Sequence, residues 1–177
     1  MKMRPFPSEI KPPAKEMKKI ACSILLFCLG RGFQAVSGMD PDVKKELEAW
    51  EEGFTILFQV APKGPYLHLR KDKGRIRFLG LRKAEADLVV HFKNIEAAFL
   101  VLTAQIGTPR AFAEHRISVM GSLPESMRLV RCLNYVQYYL FPAFIARRIL
   151  KRLPPIPTRR LLSGRIMVYL FGVPLGL

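Results

Sequence analysis

The periodicity of the apolar residues changes twice along this chain of 177 residues. Between residues 54 and 92, apolar side chains such as Phe54, Ile56 and Phe58 alternate with other residues, a period of two that is typical of strands. On either side of this region the spacing is helical. A block of short strands between helical regions predicts an α+β domain, in which helices pack on a sheet.

Turn residues divide the strand region. Residues 54–60, 66–70, 75–79 and 86–92 form four predicted strands, separated by segments rich in Pro, Gly, Asp and Lys, and residues 117–120 form a fifth. Hairpin connections at regular intervals favour antiparallel pairing, with one covered face. We therefore expect a five-stranded, mainly antiparallel sheet that is covered by helices on one side.

Capping residues indicate where the helices begin. Asp40 followed by Pro41 predicts one helix start, and Asn94 predicts another. Ser122 with Glu125 predicts a capping box, in which each side chain binds a free backbone amide of the first turn. The predicted helices cover residues 14–36, 41–52, 95–106, 108–115, 123–141 and 142–152.

Composition divides the chain into three parts. Residues 1–40 are a leader containing proline and lysine, followed by a helix whose second half is weakened by Gly30 and Gly32. Residues 41–152 form the folded domain. Residues 153–177 begin as a proline-rich linker and end as a basic and apolar tail.

Basic residues are in large excess. The chain has 29 Lys and Arg against 14 Asp and Glu, a net charge of +15, and no acidic residue follows Glu125. Such a charge indicates a polyanionic partner, either nucleic acid or an anionic membrane. The sequence has neither zinc-finger spacing nor the aromatic pattern of RNA-binding strands, which makes nucleic acid the less favoured partner.

The sequence offers no convincing catalytic, cofactor or metal site. His68, His91 and His115 are isolated, without a second ligand at helical or hairpin spacing. The Gly30-Arg31-Gly32 segment does not follow a predicted strand, so nucleotide binding is unsupported. We therefore expect a protein that is not an enzyme and has no cofactor and no bound metal.

Cysteine usage and the lengths of the apolar runs bear on localisation. Cys22, Cys28 and Cys132 lie in apolar surroundings without metal-type spacing, as expected of free thiols in a reducing compartment. The apolar runs at residues 20–29 and 166–177 are shorter than the roughly 20 residues of a spanning helix. We expect a cytoplasmic protein that contacts the inner face of the membrane peripherally.

The helix predicted at residues 123–141 carries more apolar residues than an ordinary surface helix. Its polar residues Arg128, Arg131, Asn134 and Gln137 recur every three positions, and we interpret them as one narrow stripe. The wide apolar remainder must then be covered from more than one side. Apolar helices above one sheet face suggest a lipid cavity between them. Composition does not distinguish such a cavity from a solid core, and the pattern alone favours a solid core.

A series of short motifs resembles a known family. The series comprises Ala-Asp-Leu-Val-Val at residues 86–90, a helix ending at Gly107, Ala-Phe at residues 111–112, and Arg-Ile-Ser-Val-Met-Gly-Ser-Leu at residues 116–123. In order and spacing it resembles the sterol carrier protein 2 (SCP2)-like lipid-binding domain, over residues 50–140. The resemblance implies a sheet and helices that enclose an apolar tunnel for fatty acyl chains, sterols or related lipids.

The resemblance also implies a function. We expect a non-enzymatic lipid-binding or lipid-transfer protein, with residues 41–152 as its SCP2-like domain. It would hold a fatty acyl, sterol-like or isoprenoid-quinone-type lipid, dock transiently on anionic membranes, and act with a partner protein in a lipid or quinone pathway. The alternative is a basic nucleic-acid-binding module.

Two sets of site residues follow from this hypothesis. The candidate lipid-binding residues are Leu88, Val90, Phe99, Leu102, Phe112, Met127, Val130 and Leu133. The candidate membrane-contact residues are Arg147, Arg148, Lys151, Arg152, Arg159, Arg160 and Arg165. Basic residues beside apolar ones suit an anionic bilayer. The alternative for residues 158–177 is that they pack back onto the domain.

Overall fold

A computed structural model of the protein describes residues 12–142, 145–146 and 156–172. The strands are β1 (Thr55–Val60), β2 (Tyr66–Asp72), β3 (Arg75–Gly80), β4 (Leu88–Phe92) and β5 (Ile117–Met120). The helices are α1 (Pro12–Met39), α2 (Pro41–Glu48), α3 (Ile95–Leu102), α4 (Thr108–Ala113), α5 (Leu123–Leu140) and α6 (Thr158–Met167), which continues as a π-helical turn (Val168–Gly172). Most of the helix predicted at residues 142–152 lies outside the described residues.

The five strands form one sheet in the order β3-β2-β1-β4-β5. All neighbouring strands are antiparallel except β1 and β4, which are parallel. The predicted α+β class, with a five-stranded and mainly antiparallel sheet, is confirmed.

Helix α1 lies on the face of the sheet that carries Leu67 and Phe78. A Cβ atom added at Gly30 would lie 2.6 Å from the Leu67 side chain and 2.7 Å from that of Phe78, so the helix backbone approaches the sheet closely. Leu26, Phe33 and Val36 of the same helix are fully buried. The helix that the sequence places ahead of the domain therefore contributes to the main core.

Residues 15–39 of α1 are also long and apolar enough, by length and composition alone, to cross a membrane. Half of its most apolar 18-residue window is buried inside the protein, and the core helix of a globular protein can meet the same criterion. We treat α1 as a core helix because its buried side belongs to the same cluster as the sheet.

The connection from β3 to β4 joins two strands that run in the same direction. Both strands run in the direction of β1, so residues 81–87 must return along the length of the sheet before β4 begins. Leu57 and His68 point to the face opposite α1, and both are buried. Burial and then the positive charge of Arg82 lower the pKa of His68. Helices cover one face, as predicted, and the second face also buries side chains, Leu57 and His68.

Two of the predicted caps are confirmed and one is wrong. The Asp40 carboxylate accepts from the backbone N–H groups of Asp42 and Val43, and the Asn94 side chain accepts from Ala97 N. Ser122 makes no side-chain capping bond, since Pro124 removes one of the N–H groups that such a cap reaches. The hydroxyl of Ser126 instead donates to the Ser122 carbonyl at 2.7 Å.

Candidate functional site: a row of cavities beside helix α5

A groove lies between α4, β5 and the first half of α5. Its volume is about 670 Å³. Helix α4 begins after Gly107 with Pro109 in its first turn, and α5 begins just after β5, so the two helices flank the same strand. The groove is lined by Thr108, Pro109, Phe112, Val119, Gly121, Leu123, Ser126, Met127, Val130 and Asn134.

A second and much smaller cavity lies beneath the groove, between the sheet and the helices. Its volume is about 40 Å³, little more than the ~30 Å³ that one molecule occupies in liquid water. It shares Phe112, Val119 and Val130 with the groove, and its floor includes Phe58 and Val90 from the sheet. The groove therefore continues inward as a narrow apolar space.

A third cavity lies on the far side, between α1, α3 and the end of α5. Its volume is about 250 Å³, and Tyr169 of the C-terminal segment forms part of its wall. It shares Leu29, Val101, Leu102 and Gln137 with the small inner cavity. The three cavities form a row with common walls, and the 40 Å³ cavity is its narrowest part. An open tunnel through the domain stays a prediction.

Most of the predicted lipid-binding residues line this row. Leu88 does not line these cavities: it is fully buried in the core, near Gly121, whose added Cβ would lie 2.8 Å from its side chain. Phe99 also lies outside their walls, and the Lys18 ammonium sits 5.8 Å from its ring centroid. The residues that do line them are Val90, Leu102, Phe112, Met127, Val130 and Leu133.

The polar residues of α5 do not form one stripe. A step of three residues falls about 60° short of a full helical turn, so three such steps move from one side of a helix to the other. Arg131 accordingly points to α2, where its guanidinium donates to Glu46 at 2.7 and 2.8 Å. Asn134 and Gln137 point to the cavities instead. The single-stripe interpretation is wrong for this geometric reason.

Sequence reasoning missed the polar part of the cavity lining. Thr108 and Ser126 line both the groove and the inner cavity. Asn134 lines the groove, and Gln137, one turn further along α5, lines the inner and third cavities. Within the described part of the chain, neither amide side chain makes a hydrogen bond. Their spacing within an apolar helix was the signal that could have identified them.

Two exposed apolar side chains lie at the groove. Leu123 is 73% exposed and Met127 is 51% exposed, and both line the groove. We call these two residues the apolar rim. Side chains of this size on a free surface indicate an interaction site, because a monomer in water gains nothing from exposing them together.

The predicted membrane-contact residues have different surroundings. Arg160 binds the buried carboxylate of Asp40 at 2.6 Å, and Arg165 donates to the carbonyl groups of Tyr138 and Phe141. Both side chains therefore hold the C-terminal segment on the domain, whereas Arg159 is exposed. Four of the predicted residues lie outside the described residues: Arg147, Arg148, Lys151 and Arg152.

The C-terminal segment packs on the rest of the protein. Leu161 and Val168 are buried, and a Cβ added at Gly164 would meet the Tyr139 ring. The Tyr139 hydroxyl donates to Asp40 at 2.8 Å, and burial raises the pKa of this tyrosine. The packing of residues 158–168 agrees with the alternative that the tail belongs to the domain.

The described residues hold no group of three His, Cys, Asp or Glu side chains that could bind a metal ion. All three cysteines are free. Burial raises the pKa of Cys22 to about 11 and that of Cys132 to about 12. These two thiols are therefore protonated and poorly nucleophilic at neutral pH.

The comparisons with known proteins gave structural matches only. No protein-family model and no curated protein sequence matches the chain. The chain is similar to sterol carrier protein 2 domains of known structure. One match, a UbiJ-SCP2 ubiquinone synthesis protein, has 16% sequence identity and a TM-score of 0.43, covering 70% of this chain and 99% of its own.

Two further solved structures of sterol carrier protein 2 domains match the chain at similarly low sequence identity. The sterol carrier protein domain 2 of Helicoverpa armigera has 17% identity and a TM-score of 0.41, covering 73% of this chain and 94% of its own. Sterol carrier protein 2 from Yarrowia lipolytica, in its apo form, has 17% identity and a TM-score of 0.45, covering 67% of this chain and 94% of its own. These solved structures are of the family that the sequence motifs resemble.

Proposed function

We propose that this protein is a non-enzymatic lipid-binding and lipid-transfer protein, and that the groove between α4, β5 and α5 holds the apolar part of its ligand. The groove is the observation that carries the proposal. Its volume of about 670 Å³ falls within the range of roughly 300–1,000 Å³ that is typical of small-molecule sites. Its walls are mostly apolar and include Phe112 of α4 and Met127 and Val130 of α5.

The driving force for binding would be burial of the lipid chain. Each methylene group that moves from water into an apolar site contributes about 0.8 kcal/mol. Longer chains should therefore bind more tightly, whether the ligand is a fatty acyl, sterol-like or isoprenoid-quinone-type lipid. A chain longer than the groove would extend into the inner cavity, where Val90 and Leu133 form part of the wall.

Transient docking on an anionic membrane would deliver the lipid. The net charge of +15 favours an anionic surface, and the apolar rim lies at the groove through which a lipid would enter. We propose that the protein is cytoplasmic and meets the inner face of the membrane with this rim. The candidate membrane-contact residues are Arg147, Arg148, Lys151, Arg152 and Arg159. A partner protein in a lipid or quinone pathway also stays a prediction.

Mass spectrometry of an organic extract of the purified protein tests the proposal. A lipid present at near-stoichiometric amount, together with an absorbance spectrum free of nucleic acid, would support it. An absorbance maximum near 260 nm that persists through high-salt washing would instead favour the nucleic-acid-binding alternative. Purified protein that carries neither, and that takes up no lipid from added vesicles, would contradict the proposal.

A further inference from the structure

Among the described residues, no charged side chain lines the three cavities beside α5, although the protein as a whole is strongly basic. The chain has 29 Lys and Arg. Within the described part of the chain, none of them, and no Asp or Glu, lines the groove, the inner cavity or the third cavity. A carboxylate or phosphate held inside would therefore lose its hydration without gaining an ion pair, which is strongly unfavourable.

The basic residues described on α4 and α5 do not line the groove and lie beside carboxylates instead. Arg131, on α5, donates to Glu46 of α2, and Arg128 lies 3.8 Å from the same carboxylate. Hydrogen bonds from Arg131 lower the pKa of Glu46, so this carboxylate stays charged. On α4, Arg110 pairs with Glu114 at 2.6 Å. These cations already have anionic partners and do not face the cavities.

The polar groups that do face the cavities are neutral. Asn134 and Gln137 lie one helical turn apart on α5. A primary amide offers both N–H donors and a carbonyl acceptor. Two amides and the hydroxyls of Thr108 and Ser126 therefore match a ligand that carries carbonyl or hydroxyl oxygens, and they offer no counter-ion to an anionic headgroup.

From this arrangement we infer that the ligand is an uncharged lipid whose polar end carries carbonyl or hydroxyl oxygens, and that the site discriminates against fatty acid anions and phosphate-bearing lipids. This inference rests on the proposed function, since it concerns the ligand of the same groove. It narrows the ligand class, because it removes ionised fatty acids from the candidates.

Two lipids that differ only in one phosphate group provide the test. Diphenylhexatriene, an uncharged fluorescent probe, is bound to the protein first. The competitor 1-palmitoylglycerol or 1-palmitoyl lysophosphatidate is then added. The third competitor is palmitate at about pH 8, where its carboxyl group is ionised. We expect 1-palmitoylglycerol to displace the probe at a concentration about tenfold or more below that of either anion.

Variants at one position identify the residue that sets the preference. Asn134→Lys places a cation in the groove and should shift the preference toward lysophosphatidate. Gln105→Lys, at an exposed position outside the cavity walls, adds the same charge and should leave the preference unchanged. Asn134→Leu removes the amide and should weaken 1-palmitoylglycerol binding. This variant tests the role of Asn134 if Asn134→Lys does not fold.

The outcomes separate this inference from the proposed function. Equal or tighter binding of the two anions by the unmodified protein would overturn the inference while leaving lipid binding intact. Failure of the probe and of all three competitors to bind would overturn the proposed function itself. A preference that changes equally in Asn134→Lys and Gln105→Lys would contradict the role of Asn134.

Discussion

Gly30 lies where α1 comes closest to the sheet, beside Leu67 and Phe78. From the sequence alone, a glycine within a helix is expected only to destabilise that helix, by roughly 1 kcal/mol relative to alanine. In the folded protein that cost is offset, since the missing side chain permits close packing on the sheet. Gly32 likewise permits close packing of α1 against Leu140 of α5, because a Cβ added at Gly32 would lie 2.9 Å from the Leu140 side chain.

A matched pair of alanine substitutions tests this explanation. Gly30→Ala should lower the free energy of unfolding by about 1–2 kcal/mol, because overpacking outweighs the gain in helix propensity. Gly38→Ala, in the same helix, meets its nearest side-chain atom at an ordinary 3.7 Å and should leave stability unchanged or raise it. Denaturant unfolding measures both. Equal effects of the two substitutions would contradict the close approach at Gly30.

His68 makes the stability of the fold sensitive to acid. Both of its ring nitrogens are buried without a hydrogen-bond partner among the described residues, and burial, followed by Arg82, lowers its pKa. The unfolded chain, with an ordinary histidine pKa near 6.5, therefore binds the proton first. As the pH falls from about 6.5 toward the lowered pKa, the contribution of this residue to stability is lost.

The corresponding experiment follows unfolding as a function of pH. His68→Phe should show a smaller loss of stability between about pH 6.5 and 5 than the unmodified protein. Arg82→Gln should show an intermediate loss, because it removes only the second cause of the lowered pKa. An unchanged pH dependence in His68→Phe would refute this role.

At the scale of elements, the packing of α6 on the domain depends on one buried carboxylate. Asp40 is fully buried and accepts hydrogen bonds from two amides, from Tyr139 and from Arg160. It ends α1, caps α2 and anchors α6 at the same time. The tail is therefore held by a charge pair, a relation between residues more than a hundred positions apart that no local pattern reveals.

Removing the cation of this pair should destabilise the protein. Arg160→Met leaves the carboxylate of Asp40 without its counter-ion, and we expect a loss of about 2 kcal/mol, less than the 3–5 kcal/mol of a fully buried pair because part of Arg160 is exposed. Arg159→Met, at the exposed neighbouring position, should change stability by less than about 0.5 kcal/mol. Thermal unfolding compares them, and an equal effect of the two would count against the anchoring role.

The sequence predicted the presence of the strands and helices more accurately than the residues at which they end. Period-two alternation between turn residues located all five strands, because a half-covered sheet imposes that period directly. Helix α3 ends at Leu102, before the predicted residue 106, because Ala104 takes a left-handed backbone conformation. Gly107 then begins α4 instead of ending α3. Such ends depend on tertiary packing, which overrides the local signals.

Tertiary packing also limits how well the cavity lining can be predicted from the sequence. Leu88 and Val90 share one face of β4, and both have the residue type expected of a cavity wall. Only Val90 lines a cavity, since the positions of α3, α4 and α5 decide which part of the sheet stays unfilled. Alternation identifies the inward face, but it carries no information about where the helices leave space.

At the scale of the whole molecule, the net charge of +15 and the apolar rim should act together at a membrane. We expect stronger sedimentation with anionic than with neutral liposomes, reduced by added salt because exposed charges are screened. Reversing the charges at Arg147, Arg148, Lys151 and Arg152 should weaken the salt-sensitive part of this binding. Leu123→Asp, in the rim, should weaken the part that survives high salt.

Liposome sedimentation of the unmodified protein and these variants, at about 0.05 and 0.5 M salt, measures both parts. Leu162→Asp, at an exposed position away from the groove, is the control for the rim substitution. Equal affinity for neutral and anionic liposomes would contradict the electrostatic part, and equal effects of Leu123→Asp and Leu162→Asp would contradict the rim.

The central claim is that the space beside α5 binds lipid, and filling that space tests it most directly. Val130 lies in the wall between the groove and the inner cavity, so Val130→Trp should occupy the site. Leu162→Trp adds the same side chain at an exposed position. The measurement is the stoichiometry of diphenylhexatriene and 1-palmitoylglycerol binding, with thermal unfolding as the check on folding.

We predict that the unmodified protein and Leu162→Trp bind lipid equally. Val130→Trp should lose most of that binding while its unfolding temperature changes little, because an empty groove accepts bulk that a solid core would resist at a cost of about 1–3 kcal/mol. Full binding by a folded Val130→Trp protein, or no binding by the unmodified protein, would contradict the account.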